Sequence, residues 1–599
     1  MQETLEKQSA LKGGEFLIRE SLAQDVFTPE DFNEEQLMMA QACLDFLNKE
    51  VHPHVDRMDS LEEGFMENLM TKAGELGLLG ISVPESLGGL GMSFNSSMLI
   101  ADALGAGGSF ATAFGAHTGI GTLPILYYGN EAQKQKYVPK LASGEWKGAY
   151  CLTEPDAGSD ANSGKTKAVL SPDGKTYHIT GQKMWISNGG FAQVMIVFAR
   201  IENDKNLTAF IVERDFGGIT MNEEEKKMGI KGSSTRQIFF NDTPVPVENM
   251  LSDRGNGFKI AVNILNIGRI KLAAAALGGA KIVVEHSLKY SGERKQFGQS
   301  INSFGAIKHK LAEMVTRLYA SEAASYRAGQ DIENKIDGMI AEGIDEAEAK
   351  LKGVEQYAIE CAALKVHGSE VLDYIVDEGV QIYGGMGFSA EAPMERAYRD
   401  ARISRIYEGT NEINRLLLVG MILRRAMKGE LDLMGPAMAV AKELTSVPKF
   451  TTPDRSKRFA EEKEVLQNMK KAILMVAGKA VEVFKDKLDQ EQEIMSNIAD
   501  MIIETYAAES ALLRTEKMIA SRGEEATQIP VLMTKLYLHN AVEILNQSGR
   551  EAITSFTKGD EQRVMLMGIK RFTKITPINK KETRRAIADA FIEKGKYAI

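Results

Sequence analysis

The stretch Arg399-Asp-Ala-Arg-Ile-Ser-Arg-Ile-Tyr-Glu-Gly-Thr-Asn-Glu-Ile413 decides how the rest of the chain is interpreted. Glu408 stands in a short Tyr-Glu-Gly-Thr connection, between basic helical sequence and the apolar run 416–419. A carboxylate on a tight turn between two helices can be partly desolvated and directed into a cavity. Burial raises the pKa of a glutamate above its usual value of about 4.3, which makes it a better base near neutral pH. The alternative is a surface acid beside Thr410, a residue that would only cap the second helix.

The composition is that of a globular protein with several domains. The 599 residues are too many for one compact core, so we expect about three or four domains or layers. Hydrophobic residues make up 44% of the chain and charged residues 26%, which is typical of soluble proteins. The formal net charge of -10 provides no basic surface for nucleic acid. A local basic pocket for a phosphate-bearing ligand remains compatible with this charge.

Signals for disulfides, membranes and metals are weak. The three cysteines are scattered and form no CxxC motif, which favours a reducing compartment. The first residues lack the apolar region of a secretory signal, so we expect a cytoplasmic protein. No uninterrupted apolar run approaches the roughly 18 residues of a membrane span. The eight histidines show no metal-ligand spacing, and no metal site is predicted.

Hydrophobic periodicity predicts a helical N-terminal domain followed by a β domain. Residues 1–31 form an irregular extension with a hinge at Gly13-Gly14, and residues 32–146 form an N-terminal α domain. At Lys147 the pattern changes to strand-like alternation, which predicts a small β domain over residues 147–250. The predicted strands are Ala149–Leu152, Tyr177–Thr180, Val194–Ala199, Leu207–Val212 and Gln237–Phe240. The predicted N-terminal helices include two over 34–80, then Ser96–Leu104, Phe110–Tyr128 and Ala132–Leu141.

The rest of the chain is predicted to be helical. A domain over residues 251–428 contains helices long enough for a four-helix bundle, at 257–291, 303–333, 345–380 and 411–427. Pro436, Pro448 and Pro453 mark a linker over residues 429–456. A C-terminal helical domain, residues 457–599, follows, with helices at about 457–487, 489–521, 528–556 and 580–595.

Two familiar site motifs are absent from the chain, and two segments of the β domain are the candidates for a cofactor site. Gly384-Gly-Met-Gly-Phe388 lacks the full GxGxxG pattern and opens no βαβ unit, so no Rossmann site is predicted. No GxSxG serine elbow occurs. The segments 150–160 and 183–189 instead bring backbone amides, hydroxyls and an indole to one edge of a small sheet. Each alone is a strand that ends in a turn, but together they suit a planar cofactor.

These segments resemble signatures of the acyl-CoA dehydrogenase family. Cys151–Ser163 resembles the first signature, and Gln381–Asp400 resembles the second. Lys183–Gly189 and Arg294–Gly298 resemble the flavin segments of the family, and the similarity extends from about residue 32 to 425. The long C-terminal region, with the segments 227–231 and 263–269, is most similar to the very-long-chain branch. The resemblance implies a mostly α fold with a central small β domain, a four-helix bundle and an extra C-terminal helical domain.

The resemblance also implies a set of binding residues. It implies non-covalently bound FAD, contacted in the same subunit by Tyr150, Leu152, Thr153, Ser159, Trp185, Ser187, Thr410 and Glu412. The FAD of a neighbouring subunit would be reached by Arg294, Phe297, Gln381, Ile382 and Gly385, so we expect a homodimer. The acyl-CoA substrate would be bound by Ser159, Phe258, Leu265, Arg269, Tyr407 and Gly409. In this scheme Arg269 holds a CoA phosphate or a nearby helix end.

The implied reaction is α,β-dehydrogenation of a long-chain fatty acyl-CoA to a trans-2-enoyl-CoA. Glu408 would remove the α-proton while flavin N5 takes the β-hydride, and the Glu408 N–H would polarise the thioester oxygen. Some branches of the family place the base at the position of Gly268, where glycine cannot serve. Electrons would pass to an electron-transferring flavoprotein. The alternatives are an acyl-CoA oxidase and a relative retained as an assembly or scaffold protein.

Two further expectations concern chain length and membranes. Ala111 and Gly115 are four residues apart and share one helix face, where small side chains would leave the cavity open to a long acyl tail. Close helix packing explains the two small residues equally well. The segment Leu431–Val447 is moderately amphipathic but contains Pro436, and a peripheral membrane contact there is compatible with the sequence.

Overall fold

The computed structural model describes residues 11–444, 446 and 458–599. Pro448 and Pro453, two of the predicted linker prolines, therefore lie outside the described residues. Pro436 instead lies in the first turn of a helix, where a proline is tolerated because its missing N–H has no helical acceptor to satisfy. The predicted fold class, helical regions on either side of a small β domain with extra C-terminal helices, is confirmed.

The N-terminal region is all helical. Its helices are α1 (Glu34–Phe46), α2 (Val55–Asp59), α3 (Phe65–Glu75), α4 (Phe94–Gly105), α5 (Ser109–Gly115), α6 (Leu123–Tyr128) and α7 (Glu131–Ser143). The predicted helix Phe110–Tyr128 is not continuous, because a π-helical turn over Ala116–Gly121 separates α5 from α6. Gly121 explains the turn in part, since a Cβ there would lie 2.9 Å from the Gly148 carbonyl carbon. The helix therefore deforms where the chain must pass close to the sheet.

An eight-stranded sheet forms the β region. Its strands are β1 (Gly148–Cys151), β2 (Lys167–Leu170), β3 (Thr176–Ser187), β4 (Val194–Ile201), β5 (Thr208–Glu213), β6 (Ile219–Met221), β7 (Thr235–Pro246) and β8 (Met250–Leu251). The strand order is β6-β7-β3-β2-β4-β5-β8, and β1 pairs with β4 in parallel. Strands β2, β6 and β8 were not predicted, because each is only two to four residues long.

The next helical region surrounds two long helices. It contains α8 (Gly257–Glu293), the hairpin β9 (Lys295–Gln296) and β10 (Gln299–Ser300), α9 (Gly305–Ala341), α10 (Glu346–Gln356), α11 (Ala358–Tyr383), α12 (Pro393–Ala401) and α13 (Asn411–Met427). The prediction of one helix over 345–380 is wrong, since the helix is interrupted at Tyr357, between α10 and α11. The Tyr357 hydroxyl donates to the Leu11 carbonyl at 2.6 Å. A contact with a distant segment therefore accompanies the break.

The C-terminal helices pack on this bundle and continue its core. They are α14 (Met434–Leu444), α15 (Ala460–Phe484), α16 (Gln492–Arg522), α17 (Gln528–Phe556), α18 (Gly559–Phe572) and α19 (Lys580–Lys594). Helix α18 was not predicted. Helix α16 contacts α9, α11 and α13, and one buried hydrophobic cluster runs through both helical regions.

The N-terminal segment is fixed at the bundle surface. Residues 11–31 contain only short 3-10 turns, in keeping with the predicted irregular extension. The predicted hinge at Gly13-Gly14 is wrong. Both glycines are buried, and the Gly14 N–H donates to the Glu360 carboxylate at 2.8 Å. A Cβ at Gly13 would lie 2.1 Å from the Gln356 carbonyl oxygen, so glycine is required here for close approach.

The apolar composition of helix α8 corrects the prediction about membrane-spanning segments. On length and composition it could span a membrane, contrary to the expectation from the sequence. However, 61% of its most apolar window is buried inside the protein. Its contacts with α4, α9 and α11 make it the central helix of the core. This position brings its residues against the Glu408 turn described next.

Candidate active site

The Glu408 turn, residues 407–410, connects a 3-10 helix (Arg402–Arg405) to α13. Glu408 and Gly409 are both in the left-handed region, with φ of +59° and +84°. Glycine adopts this conformation freely, but for glutamate it costs roughly 1–3 kcal/mol and persists only where neighbouring groups enforce it. Thr410 caps α13 by accepting a hydrogen bond from the Ile413 N–H at 3.3 Å. The turn is therefore a strained connection with a defined exit.

Three side chains from three helices hold the carbonyl groups of the turn. From α8, the Arg269 guanidinium donates to the Glu408 carbonyl at 3.2 Å. From α11, the Lys365 ammonium donates to the Gly409 carbonyl at 2.7 Å. From α13, the Asn414 amide donates to the Gly409 and Thr410 carbonyls at 2.8 and 3.1 Å. These bonds fix the backbone from which the Glu408 side chain projects.

The Glu408 carboxylate has the electrostatics of a base that works near neutral pH. Its Oε2 atom is buried and has no hydrogen-bond partner among the described residues. Burial raises the pKa of this carboxyl to about 7, although the cations of Arg269 and Lys365 oppose the rise. A Cβ at Gly268 would lie 2.7 Å from Oε2. The glycine at this position thus leaves the space that the carboxylate uses.

A long cavity of about 550 Å³ starts at the Glu408 turn. Ser187, Tyr407 and Glu408 line it, and it follows one face of α8 from Gly268 to His286. With a helical rise of 1.5 Å per residue, these positions are about 27 Å apart. Most of the lining is aliphatic or small, including Leu79, Ile100, Leu104, Ala275 and Gly279. The cavity has the shape and polarity for a long alkyl chain.

The two predicted small residues on the N-terminal helices both line this cavity. Ala111 and Gly115 lie on α5 and face the space along α8. A Cβ added at Gly115 would meet no atom within 4 Å. Close helix packing therefore does not explain the glycine, whereas an open cavity does.

The predicted cofactor residues of the β region meet where β1 ends beside β3. The Met184 N–H donates to the Thr153 carbonyl at 3.0 Å, and the buried Lys183 ammonium donates to the Leu152 carbonyl at 3.1 Å. A β-bulge between Lys183 and Ile186 accompanies the positive φ of Trp185, whose surface is 53% exposed. Bulges commonly redirect a side chain near a functional site. Here the indole faces outward, next to the cavity residue Ser187.

Tyr150 and Ser159 lie at different depths. The Tyr150 hydroxyl is buried without a hydrogen-bond partner among the described residues. Burial and the charge of nearby Glu408 raise the pKa of this hydroxyl well above its usual range. Ser159 is exposed in the loop between β1 and β2, and Glu412 is exposed in the first turn of α13. Only Tyr150 of these three is shown close to the Glu408 side chain.

A second group of predicted cofactor residues lies far from the Glu408 turn. Arg294 follows α8, Phe297 is on the β9–β10 turn, Gln381 and Ile382 end α11, and Gly385 is in the next 3-10 turn. A stack of Tyr290 on Tyr383, with ring centroids 3.9 Å apart, joins the two helix ends. From Gly268 to Arg294 the helical rise amounts to about 39 Å. Within one chain these residues therefore form no part of the Glu408 site.

The exposure of this second group is uneven. Phe297 is 93% exposed with a φ of +52°, an unusual state for a large aromatic residue. Arg294, Gln381 and Gly385 are also exposed. Ile382, by contrast, is buried in the core of its own chain, so its side chain is not available for a contact outside it.

The predicted substrate residues divide into an outer and an inner set. Phe258 is partly exposed in the first turn of α8, and Leu265 is partly buried two turns further on. Tyr407 lines the cavity, and Gly409 forms the turn itself. Arg269 is buried, and it donates to the Glu408 carbonyl and, at 2.7 Å, to Asn266 Oδ1. It therefore supports the turn from within the core rather than extending towards a phosphate.

The sequence-based prediction missed Lys365 and Asn414. Lys365 has a side chain with 0% exposure, inside the apolar helix α11. A charged residue within an otherwise buried helical run was the available signal, because such residues are rare unless they are paired. Asn414 gave no comparable signal, since asparagine is common in first helical turns.

Comparisons with known proteins agree along the chain. Acyl-CoA dehydrogenase models match at 33–145 (N-terminal domain), 149–243 (middle domain), and 255–423 and 468–571 (both described as C-terminal domain). A probable acyl-CoA dehydrogenase of Bacillus subtilis (strain 168) is 45% identical over 98% of each chain. The very long-chain specific acyl-CoA dehydrogenase, mitochondrial, of Rattus norvegicus is 35% identical over 87% of this chain and 79% of its own. The crystal structure of an acyl-CoA dehydrogenase complexed with FAD from Bacillus anthracis has a TM-score of 0.95 and 46% identity, covering 98% of this chain and 100% of its own.

Proposed function

Because the chain belongs to the acyl-CoA dehydrogenase family, we propose that it oxidises long-chain acyl-CoA thioesters to trans-2-enoyl-CoA with Glu408 as the base. It is an FAD-dependent oxidoreductase of this family. One observation carries the finer proposal: a buried carboxylate, whose Oε2 has no hydrogen-bond partner among the described residues, stands at the end of a long apolar cavity. A carboxylate in that position suits the removal of a proton next to the thioester of a bound fatty chain.

The residues at the sheet edge fit the flavin. The half-exposed indole of Trp185 offers an aromatic surface, the Tyr150 hydroxyl lacks a partner among the described residues, and Ser187 lines the same cavity as Glu408. Tyr150, Leu152, Thr153, Ser159, Trp185, Ser187, Thr410 and Glu412 are proposed to hold the cofactor. FAD supplies the acceptor for the hydride that leaves Cβ. The protein supplies orientation and the base.

Glu408 is proposed to take the α-proton. With a pKa of about 7 a substantial fraction of this carboxyl is ionised at neutral pH, yet it is far more basic than an exposed glutamate. The strained turn and its three carbonyl contacts fix where the carboxylate projects. The Glu408 N–H is proposed to polarise the thioester oxygen, as in an oxyanion hole. Phe258, Leu265 and Tyr407 are proposed to contact the acyl-CoA.

A preference for long chains is supported by the dimensions of the cavity. Carbon–carbon bonds of about 1.5 Å in a zigzag advance an alkyl chain by about 1.3 Å per carbon. The face of α8 that lines the cavity is about 27 Å long and thus matches a fatty chain of about 16 carbons with room to spare. The 35% identity to a very long-chain specific relative supports the same branch.

The electron acceptor and the assembly are also proposals. We propose that an electron-transferring flavoprotein accepts the electrons and that the protein is a homodimer. The exposed Phe297, on the β9–β10 turn beyond the end of α8, supports a contact with a second subunit. The same base would serve an acyl-CoA oxidase. A peroxide assay under air with palmitoyl-CoA distinguishes the two, because only the oxidase forms peroxide at the rate of substrate turnover.

The proposal is tested by anaerobic titration of the purified flavoprotein with saturated acyl-CoAs of graded length. Palmitoyl-CoA is expected to bleach the flavin absorbance, and short chains are expected to do so poorly. In Glu408→Gln the flavin should stay bound while the rate of bleaching falls by about 100- to 10,000-fold, the range that general-base catalysis contributes.

The matched control is Glu430→Gln, an exposed carboxylate beyond α13 that pairs only loosely with Lys428, at 3.9 Å. It should reduce at the wild-type rate. Normal bleaching in Glu408→Gln would remove Glu408 from its role, and a wild-type protein that no saturated acyl-CoA reduces would contradict the reaction itself.

A further inference from the structure

The Lys365 side chain is buried against the Glu408 turn in an unusual way. Its ammonium donates to the Gly409 carbonyl at 2.7 Å and to Asn411 Oδ1 at 2.8 Å, which are both neutral acceptors. Burial lowers the pKa of Lys365 to about 8, and no carboxylate of the described residues forms an ion pair with it to offset that loss of solvation. A buried cation without a direct counter-ion is costly. The Lys365 ammonium holds the turn and places a positive charge near Glu408.

Asn411 extends this contact outward. Its amide donates to Ser369 Oγ and to Glu370 Oε1, both at 3.0 Å, while its carbonyl oxygen accepts from Lys365. Asn411 is buried and is the first residue of α13. Because both ends of the amide are occupied, its orientation is fixed, and movement of Glu370 would be transmitted to Lys365.

The outer end of this network reaches the C-terminal helices. The Arg415 guanidinium makes two parallel bonds to Glu370, at 2.8 and 2.9 Å, and its Nε donates to Asp500 Oδ1 at 2.7 Å. Asp500 belongs to α16, whereas Glu370 and Arg415 belong to α11 and α13. A bidentate arginine–carboxylate pair is geometrically specific. The arginine thus joins the helix that carries the turn to the C-terminal region.

We infer that helix α16 of the C-terminal region positions the catalytic carboxylate through a polar relay of five side chains: Asp500, Arg415, Glu370, Asn411 and Lys365. The inference rests on the proposed role of Glu408 as the base. Lys365 and the four residues beyond it are positioning residues, since they act on the turn and not on substrate. Among the described residues, none from the C-terminal region lines the cavity. This region therefore contributes to catalysis by positioning the turn and not by contacting the substrate.

Two consequences separate this relay from a merely structural network. The charged and titratable groups that face Glu408 are Arg269, Lys365, Tyr150 and Tyr407, and those that face Lys365 are Glu408, Arg269, Glu370 and Glu412. Lys365 is therefore one of only two cations that act on the base among the described residues. Its removal should shift the pH at which the base becomes active, and loosening of the outer relay should lower the rate with little effect on substrate binding.

The experiment measures the rate of flavin reduction by palmitoyl-CoA in a stopped-flow instrument between pH 5.5 and 9. In Lys365→Met the acidic limb should move to higher pH by about one unit or more, because an opposite charge nearby lowers a carboxyl pKa by roughly 1–3 units. In Asp500→Asn and Arg415→Met the limiting rate should fall about 10-fold or more, with the palmitoyl-CoA concentration at half-saturation changed less than twofold, since displaced catalytic groups lose up to about 100-fold.

The matched control is Arg584→Met. Arg584 of α19 bonds Glu313 of α9 at 2.8 Å, so it too joins the C-terminal region to the bundle, but away from the Glu408 turn. It should lower the melting temperature as Arg415→Met does and leave the limiting rate and the pH limb unchanged. If Lys365→Met fails to fold, Asp500→Asn, at a partly exposed site, still tests the relay.

The outcomes keep the two proposals apart. A wild-type protein that palmitoyl-CoA does not reduce contradicts the proposed function. An active wild type in which the Asp500 and Arg415 variants behave like Arg584→Met overturns the relay and leaves the function intact.

Discussion

At the scale of single residues, two features of the Glu408 turn lower the stability of the fold. The carboxylate is buried, its Oε2 accepts no hydrogen bond from the part of the chain that the structure describes, and its backbone adopts a conformation that glutamate rarely occupies. Either feature alone costs free energy in a folded protein. Functional sites commonly carry such costs because the rest of the structure enforces them. The neighbouring Arg269 and Lys365 enforce this one.

Glu408→Gln should therefore stabilise the protein at alkaline pH. The pKa of Glu408 is raised from its ordinary value of 4.5 to about 7, so between these pH values the native state holds a proton that the unfolded state has lost. Stability of the wild type consequently falls as pH rises through this window, by up to roughly 3 kcal/mol. Glutamine does not ionise and escapes this loss. Denaturant unfolding measures the free energy of unfolding. The variant and the wild type should have about the same value at pH 5, and the variant should be more stable at pH 8.

A stability difference that is the same at both pH values would indicate that the carboxyl is not desolvated. Glu430→Gln again serves as the control, because its side chain is largely exposed and should change nothing. The measurement needs no substrate and is thus independent of the assigned reaction.

Glu408 could be predicted from the sequence, whereas its supporting residues could not. The turn between a basic helix and an apolar run lies within one stretch of about 15 residues, and the resemblance to a family then favoured Glu408 as a base over a surface acid. Lys365 contacts the Gly409 carbonyl from 44 residues away in the chain. A buried lysine is recognised only once its acceptor is known, and the acceptor is a backbone group with no signature. The resemblance to a family left two roles open for Arg269, a CoA phosphate ligand or a support for a nearby helix end, and only the structure shows its contact with the Glu408 carbonyl ahead of α13.

At the scale of elements, helices α5 and α8 determine how far the cavity extends. Small residues on facing sides, such as Gly115 and Ala275, leave room that larger side chains would fill. The same elements also show the limit of pattern reading. The spacing predicted one helix over 110–128, but a π-helical turn interrupts it where Gly121 meets Gly148. The break at Tyr357 likewise coincides with a contact 346 residues away in the chain.

Gly115→Leu should shorten the range of substrates. A Cβ at this position meets nothing within 4 Å, so the leucine side chain can enter the cavity without displacing the backbone. The ratio of kcat/KM for palmitoyl-CoA to that for octanoyl-CoA should fall at least about 10-fold, since each methylene excluded from an apolar site costs about 0.8 kcal/mol. Steady-state assays with both thioesters measure this ratio directly.

Gly420→Leu is the control for the same substitution. Gly420 is in α13, a Cβ there also meets nothing within 4 Å, and the residue does not line the cavity. The ratio should stay at its wild-type value in this variant. An unchanged ratio in Gly115→Leu would mean that the acyl chain takes another path and would weaken the assignment of α5.

At the scale of the whole molecule, the helical regions behave as one folded body. One hydrophobic cluster runs from the N-terminal segment through α8, α9 and α11 to the C-terminal helices. The order of helical and β regions was predictable, because the change of period at Lys147 is a local signal. The shared core was not, because the separate helical patterns give no information on which faces meet. Helix α18 was not predicted, because it buries few residues and the polar residues between them obscure the helical spacing.

A buried ionic network ties these regions together. Arg514 of α16 bonds Glu322 of α9 and Glu30 of the N-terminal segment, each at 2.7 Å. Glu322 also pairs with Lys281 of α8 at 2.8 Å, and Lys281 in turn pairs with Asp102 of α4 at 2.6 Å. Arg514 is buried, so its carboxylate partners are shielded from water. Arg514 and Lys281 thus balance the charges of three carboxylates, and the network joins five elements: the N-terminal segment, α4, α8, α9 and α16.

Arg514→Met should destabilise the protein and release the N-terminal segment. Removal of one partner leaves the buried carboxylate of Glu322 undercompensated, which typically costs roughly 3–5 kcal/mol. Thermal unfolding should show a lowered midpoint, and limited proteolysis should cleave residues 11–31 faster than in the wild type.

Arg563→Met, which breaks an exposed pair with Asp560 on α18, should stay within about 0.5 kcal/mol of the wild type, because surface ion pairs contribute little. Equal effects of the two substitutions would show that the network adds no more than a surface pair. The five elements that the network joins would then be held together by their other contacts.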